Sequence, residues 1–207
     1  MNKETNIFPG AGYDNKIFTK FSKKTIKKKQ ENKEKFCEEF GILFDPRKIL
    51  ISVVSEISEK NNADILTKIL PGLENLPVLL AIRAIGSEKF KKIITNFADQ
   101  SSKNVTIVSD SNENLRKIFA ASDSVLFFSD SLEDHDLAKI ALSYAALPIC
   151  SENFDFVEDY NPNLESGIGF TFVPKNYWSV FIAIVRAVEN FRFPFDFVNI
   201  QRNALEN

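Results

Sequence analysis

The sequence contains few of the residue types from which compact metal and nucleotide sites are built. Its 207 residues include two cysteines, one histidine and seven glycines. Cys37 and Cys150 lie outside any CxxC or Cys/His spacing, so we expect two buried thiols and no metal site. The glycine-rich phosphate loops GxGxxG and GxxxxGKS/T are both missing. This argues against a zinc module and against the common dinucleotide and P-loop motifs.

Long apolar runs and a strong charge imbalance are also missing. No stretch approaches the roughly 18 apolar residues that a membrane-spanning helix needs. Residues 1–10 lack the apolar run of a secretory signal. The formal net charge of −2 provides no general attraction to nucleic acid. We therefore expect a cytoplasmic protein that contacts no membrane, and we do not expect nucleic acid as a partner.

One segment near the N-terminus is strongly basic. Eight lysines fall between residues 20 and 35, and several glutamates follow at once. This pattern fits either an anion-binding patch or a solvated linker that leads into a helix. Because prolines and glycines interrupt any regular period before residue 20, we predict an extended, lysine-rich arm or linker over residues 1–30.

Apolar segments are abundant, and they alternate with segments of helical spacing. Strands are predicted at residues 48–55, 77–85, 104–108, 124–129, 147–150 and 169–173. Helices are predicted from about residue 31 to Gly41 and at residues 63–73, 88–100, 113–121, 137–146, 177–191 and 197–205. Continuous apolar strands that alternate with helices indicate a parallel sheet covered on both faces. We predict a Rossmann-like, doubly wound α/β domain over residues 31–207, with ligands bound beyond the carboxyl ends of its strands.

Five short segments, in order along the chain, resemble one family of enzymes. They are AGYD at residues 11–14, NK at 32–33 with EEFGI at 38–42, ALSYAALP at 141–148, GIGF at 167–170 and QRNAL at 201–205. Together they resemble the C-terminal, nucleotide-sugar-binding half of the bacterial glycogen synthases and plant starch synthases. The resemblance implies one half of a GT-B glycosyltransferase, and its family transfers glucose from ADP-glucose to an α-1,4-glucan. The half that carries the acceptor surface in that family lies outside this sequence.

The loop after the first strand departs from the pattern of that family. The family has S-R-L-x-x-Q-K-G-x-D there, in which Arg and Lys neutralise the donor diphosphate. Ser55 matches the pattern, but Glu56 stands at the Arg position. Asn61 stands at the Lys position and Asn62 at the Gly position. Lys60 is one residue away from the Lys position and would compensate only if the loop shifted.

The loop after the fourth strand also departs from the pattern of the family. The family places a glutamate near the donor sugar there, ahead of a helix whose first amides bind phosphate. An ungapped alignment puts Leu132 at the glutamate position. A one-residue insertion would instead put Glu133 there and Leu137 at a leucine of the family. Glu133 is thus the one catalytic candidate, and we expect His135 to be a polar loop residue rather than a general base.

Two further segments complete the donor-binding positions that the resemblance implies. Residues 151–155 lack the Arg and the glycines that the family has after the fifth strand. Gly167 and Gly169 do match the glycines of the family motif G-T-G-F. The losses therefore fall on groups that would meet phosphate, whereas the segments that build strands and helices are kept.

The sequence thus predicts a degenerate glycogen synthase-like domain that does not transfer sugar by itself and serves as a scaffold or binds glucan or a partner. The alternative is an active half that uses ADP-glucose or a UDP-sugar and pairs with a separate N-terminal acceptor domain. In that case Lys60, Glu133 and the lysine-rich arm would take over the missing roles. No other cofactor is expected.

Overall fold

Six short strands form one parallel sheet through the centre of the protein, in a computed structural model that describes residues 8–206. The strands are β1 (Ile49–Val53), β2 (Val78–Arg83), β3 (Val105–Val108), β4 (Ser124–Leu126), β5 (Leu147–Ser151) and β6 (Phe170–Phe172). Their spatial order is β3-β2-β1-β4-β5-β6, and every neighbouring pair is parallel. The predicted Rossmann-like, doubly wound α/β fold is confirmed.

Seven α-helices accompany these strands in the described part of the chain. They are α1 (Lys29–Phe40), α2 (Ala63–Leu73), α3 (Glu88–Gln100), α4 (Asn112–Ala121), α5 (Leu132–Ser143), α6 (Tyr177–Phe191) and α7 (Pro194–Ala204). The predicted bounds of α2, α3 and α6 agree with the structure. The predicted start of α5 at residue 137 was wrong, because the helix begins at Leu132. The first turn of α5 is acidic and has no apolar spacing. It is nevertheless helical, because the Ser131 side chain caps it by accepting a hydrogen bond from the Asp134 amide.

Apolar side chains fill the space on both faces of the sheet. All five residues of β1 are buried, and so are all five of β5. Phenylalanines supply much of the remaining volume, including the fully buried Phe21, Phe36, Phe119, Phe127, Phe154 and Phe170. Burial on both faces explains why the strands read as continuous apolar runs and not as alternating ones.

The prediction of an extended, lysine-rich N-terminal arm is not confirmed. The segment that begins at Phe8 packs against the rest of the domain through buried contacts. Asp14 is fully buried and accepts from the Tyr144 hydroxyl at 2.6 Å and from Arg116 Nη1 at 3.1 Å. The Ala11 amide donates to the Ser143 carbonyl at 3.1 Å. Motif residues that are far apart in sequence therefore hold this segment against α5.

Two lysines of the basic segment lie in the interior. Lys29 Nζ donates to the carbonyl oxygens of Phe119, Ala120 and Tyr144 within 3.0 Å, and burial lowers its pKa to about 7. Lys33 is 1% exposed, and its Nζ donates to Asp123 Oδ2 at 2.6 Å. Lys29 and Lys33 therefore belong neither to a solvated linker nor to an anion-binding patch on the surface. The division of the chain at residue 30 stays a prediction.

Candidate functional site

The carboxyl ends of the parallel strands meet at one edge of the sheet, and the predicted donor-binding positions other than Gly167 and Gly169 lie in the loop after β1 and in α5, which follows β4. The order of the strands reverses between β1 and β4, which are hydrogen-bonded neighbours. Ligands of doubly wound sheets bind in the crevice at such a switch point. The loops after β1 and β4 therefore form the candidate site.

The two substituted positions of the β1 loop bind each other. Asn61 Nδ2 donates to Glu56 Oε2 at 3.1 Å and to the Glu56 carbonyl oxygen at 3.2 Å. Lys60 lies between them in a 3-10 turn and is exposed. A carboxylate and a carboxamide thus stand together where the family pattern has two cations.

A backbone clamp holds this loop in register. The Ile57 amide donates to the Ile85 carbonyl at 2.9 Å, and the Ser87 amide donates to the Ile57 carbonyl at 2.9 Å. Gly86 allows the close approach, because a Cβ there would lie 2.1 Å from the Ile57 oxygen and its φ is +131°. Because Ile57 directly follows Glu56, this clamp also fixes the backbone next to Glu56.

A carboxylate of the chain itself bridges the switch point. Asp134, in the first turn of α5, is 2% exposed. Its Oδ2 accepts from Ser55 Oγ at 2.7 Å, and the Ser129 hydroxyl also donates to it. Burial raises the pKa of Asp134 to about 6, against the lowering effect of the two hydroxyls. The helix start where the family binds phosphate is therefore next to an internal acid.

We predict that Asp134→Asn removes a pH dependence of stability. The pKa of Asp134 is raised on folding, so ionisation opposes folding, and wild-type stability should fall as pH rises from about 4 through 6. Two pKa units correspond to about 3 kcal/mol of unfolding free energy. Asp134→Asn should therefore gain up to that amount over the wild type between pH 4 and pH 7.5, measured by urea unfolding.

The matched control is Asp136→Asn, which removes an exposed acid from the same helix. It should follow the wild-type curve at every pH. An Asp134→Asn curve parallel to that of the wild type would show that Asp134 does not titrate in this range.

Arg83 is the charged residue of the site that the sequence analysis missed. It ends β2, and its side chain is only 11% exposed. Its Nε donates to Asp110 Oδ1 at 2.7 Å and its Nη1 to the Val54 carbonyl at 3.2 Å, while Glu133 Oε1 lies 3.7 Å from Nη1. A lone charge at the end of the apolar run VLLAIR was the available signal. Two carboxylates already neutralise this cation.

The two candidate positions at the start of α5 lie in different surroundings. Leu132 is 86% exposed, whereas Glu133 reaches the Arg83 guanidinium. Leu137, in the second turn of α5, is buried. The His135 ring stacks on Phe154 with centroids 4.0 Å apart. Of the residues that the sequence singled out here, Glu133 is the one placed among the charges of the site, and its catalytic role stays a prediction.

Gly167 and Gly169 lie apart from these loops. They precede β6, at the amino edge of the sheet, and Gly169 abuts Pro148 at the start of β5. A Cβ on Gly169 would lie 2.7 Å from the Pro148 oxygen, and one on Gly167 would lie 2.6 Å from Tyr160 Cα. Close backbone packing explains both glycines, while their predicted donor-binding role remains a prediction.

The edge as a whole is rich in acids. Asp130, after β4, accepts from Asn153 of the β5 loop at 2.9 Å. Asp130 is one more acid at this edge, beside Glu56, Asp110, Glu133 and Asp134. Within residues 8–206, no group of three or more His, Cys, Asp or Glu side chains is placed to hold a metal ion. Over the same residues, no helix combines the length and apolarity needed to cross a bilayer.

Comparison with known proteins decides the relationship. A glycogen synthase of Thermosipho melanesiensis is 30% identical over 184 residues, which cover 86% of this chain and 38% of that protein. A glycogen synthase of Lachnoclostridium phytofermentans is 30% identical over 181 residues, covering 85% and 36%. The chain is homologous to part of the glycogen synthases. It spans less than two fifths of the length of these two relatives, and no protein-family model matches it.

Structural comparison places the fold among the GT-B glycosyltransferases. The catalytic domain of starch synthase IV from Arabidopsis thaliana, solved with ADP and acarbose, matches with a TM-score of 0.83 at 17% identity. The match covers 96% of this chain and 43% of that one. Anabaena HepE, solved in complex with UDP and glucose, matches with a TM-score of 0.63 at 14% identity. The predicted resemblance to the C-terminal part of glycogen and starch synthases is confirmed.

The residues that carry the resemblance have structural partners in this chain. Asn32 Oδ1 accepts from the Thr19 amide at 3.0 Å, and its Nδ2 donates to the Thr19 carbonyl at 2.7 Å. Gln201 is buried and donates to the Ala145 carbonyl at 3.4 Å. These contacts join the N-terminal segment to α1 and α7 to the end of α5, Asp14 adds contacts to α4 and Tyr144, and the Lys33–Asp123 pair links α1 to β1. The homology is therefore visible in residues that hold the fold together.

Proposed function

We propose that this protein is a degenerate GT-B half that does not bind a nucleoside diphosphate sugar and does not transfer sugar by itself. The observation that carries the proposal is the bonded pair Glu56–Asn61, which places a carboxylate where the related enzymes have a cation. The buried acid Asp134 at the start of α5 and the neutralised Arg83 support it. The scaffold remains suited to binding a glucan or a protein partner, and a cytoplasmic location fits this role.

Calorimetry tests the loss of the donor site. We expect no measurable heat when ADP, UDP, ADP-glucose or UDP-glucose is titrated to 1 mM, because about 4 kcal/mol of repulsion acts between two unit charges 4 Å apart at an effective dielectric of 20. Mg²⁺ should be present in one series and omitted in another. Micromolar binding of any of the four compounds would end the proposal.

A second function is supported by Arg83 and by the short span of the homology. An active half would use Arg83, Lys60 and Glu133 toward a nucleotide sugar, and a separate acceptor half would complete the cleft. Co-expression with a chain encoded next to this one, followed by a transfer assay, tests it. Activity that Lys60→Ala or Arg83→Ala abolishes would favour this function over the first.

A further inference from the structure

A cavity of about 970 Å³ lies at the amino edge of the sheet, the edge opposite the candidate site. Its wall includes Pro46 and Arg47, which precede β1, and Asp123, which precedes β4. The rest of the wall comes from residues around the start of α1, from the end of α6 and from α7. Small-molecule sites usually have volumes of about 300–1,000 Å³. This amino-edge cavity is therefore large enough for a small ligand.

Aromatic and aliphatic side chains from three segments line the amino-edge cavity. They include Ile26, Phe191, Phe195, Phe197 and Val198. Ile26 and Phe197 are buried, whereas the Phe195 side chain is 72% exposed. An apolar ligand that covered Phe195 would gain free energy in proportion to the area that it removes from water. The lining therefore favours a ligand with an apolar body.

Two cations at this cavity have no carboxylate partner. Lys27, from the lysine-rich segment, is exposed and lines the cavity. Arg202 of α7 also lines it, and its Nη1 donates to the neutral Asn199 side chain at 3.2 Å. Within residues 8–206, neither Lys27 nor Arg202 forms an ion pair. Their charges favour an anionic group on the ligand.

The other two arginines of the lining are already neutralised. Arg47 Nη2 lies 3.0 Å from Asp45 Oδ2, and Arg192 Nη1 lies 3.1 Å from Glu189 Oε1. Two unpaired cations match a head group of low charge. A nucleoside diphosphate or triphosphate carries more negative charge than this, and its base would need matched polar partners. The charges therefore favour a single carboxylate.

The interior charges next to the cavity do not oppose an anion. Among the described residues, Asp123 is the one acid of the lining, and it is buried. Its Oδ2 accepts from Lys33 Nζ at 2.6 Å and from the Leu50 amide at 2.8 Å. Lys29 also lines the cavity, but its Nζ already donates to three carbonyl oxygens. Lys27 and Arg202 are therefore the groups that remain for the ligand.

We propose that the amino-edge cavity binds a fatty acid. The acyl chain packs against the phenylalanines of α6 and α7, and the carboxylate lies near Lys27 and Arg202. A molecule of this class combines the apolar body and the single negative charge that the lining favours. The site does not depend on the loss of the donor site, because it lies at the opposite edge of the sheet.

Calorimetry on the full chain with laurate, below its micelle-forming concentration, tests the charge part of the proposal. The wild type should bind laurate, and Lys27→Gln/Arg202→Gln should weaken the affinity at least tenfold. The matched control is Lys92→Gln, which removes an exposed lysine of α3 outside the lining. This control should stay within twofold of the wild type. Dodecyltrimethylammonium, which has the same chain and the opposite charge, should not bind.

A second series tests the apolar part of the proposal. Phe195→Ala should weaken laurate binding at least fivefold. Its matched control is Phe193→Ala, which removes a ring that is 60% exposed and outside the lining, and which should stay within twofold of the wild type. Hexanoate, whose chain is half as long, should bind at least tenfold more weakly than laurate, since each buried CH₂ group contributes to affinity.

Four results would overturn the fatty-acid site. They are no binding of laurate by the wild type, equal affinity of the wild type and Lys27→Gln/Arg202→Gln, equal binding of laurate and dodecyltrimethylammonium, and a wild-type dimer that Phe195→Ala dissociates. Sedimentation with phosphatidylglycerol vesicles, without binding of laurate, would assign the surface to a membrane and would also end the proposal. Equal melting temperatures of the variants exclude a folding defect as the cause.

Discussion

Replacing Lys33 with alanine is expected to destabilise the protein by about 3–5 kcal/mol, the usual cost of removing one partner of a buried ion pair. The Asp123 carboxylate bonds Lys33 Nζ at 2.6 Å and the Leu50 amide at 2.8 Å. Both members of the pair are less than 9% exposed. Without the lysine, Asp123 would keep its charge in the interior with one neutral donor. Chemical unfolding of the wild type and the variant measures the difference.

Two comparisons identify the cause of this loss. Lys35→Ala removes an exposed lysine from the same helix, and its effect should stay within about 0.5 kcal/mol. The double variant Lys33→Met/Asp123→Asn removes both charges and should recover much of the loss, because the unpaired carboxylate is gone. If the unfolding free energies of Lys33→Ala and Lys35→Ala differ by less than 1 kcal/mol, the Lys33–Asp123 ion pair does not contribute as the structure indicates.

Restoring the cations of the β1 loop is expected to create nucleotide binding. In Glu56→Arg/Asn61→Lys, the bonded carboxylate and carboxamide give way to two positive groups at the switch point. Reversing one charge about 4 Å from a phosphate changes the interaction by several kcal/mol at an effective dielectric of 20. We expect ADP affinity to rise at least a hundredfold over the wild type, measured by calorimetry in 0.15 M salt.

The control for this gain is Glu59→Arg, which makes the same charge change as Glu56→Arg three residues away. Glu59 is exposed and pairs with Lys89 on the surface, so solvent and salt screen its effect. We expect less than a fivefold gain from Glu59→Arg and most of the gain from Glu56→Arg alone. Equal gains from the two single variants would attribute the effect to net charge and not to the site.

The fold could be predicted from the sequence because its elements are encoded locally. The bounds of α2 and α6 follow from apolar spacing alone, and the strands follow from apolar runs such as VLLAIR. The start of α7, predicted at residue 197, lies at Pro194, and the start of α5 was also missed, because its acidic first turn has no apolar period. There the cap of Ser131 decides where the helix begins. The serine cap and the acids of the first turn are local signals of a helix start, but apolar spacing does not show them.

The candidate site could be predicted only as a set of substitutions. The sequence predicted that Glu56 and Asn61 stand where the family pattern has two cations, but not that they bind each other. It did not show that Ser55 and Asp134 bond across the switch point, because these residues are 79 positions apart. Arg83 was missed for the same reason, since its partners Asp110 and Glu133 come from the loop after β3 and from the first turn of α5.

The amino-acid sequence by itself determined the parallel α/β sheet and the resemblance to glycogen synthases, and it predicted that the β1 loop lacks the cations of the family pattern. Only the tertiary structure decided which charges face one another. It placed Lys29 and Lys33 in the interior, which their position in a lysine-rich run concealed. It also placed Asp110 and Glu133 beside Arg83. Gly167 and Gly169 lie away from the loops after β1 and β4. The physical reason is that helix and strand formation depends on neighbours in sequence, whereas burial and charge pairing depend on neighbours in space.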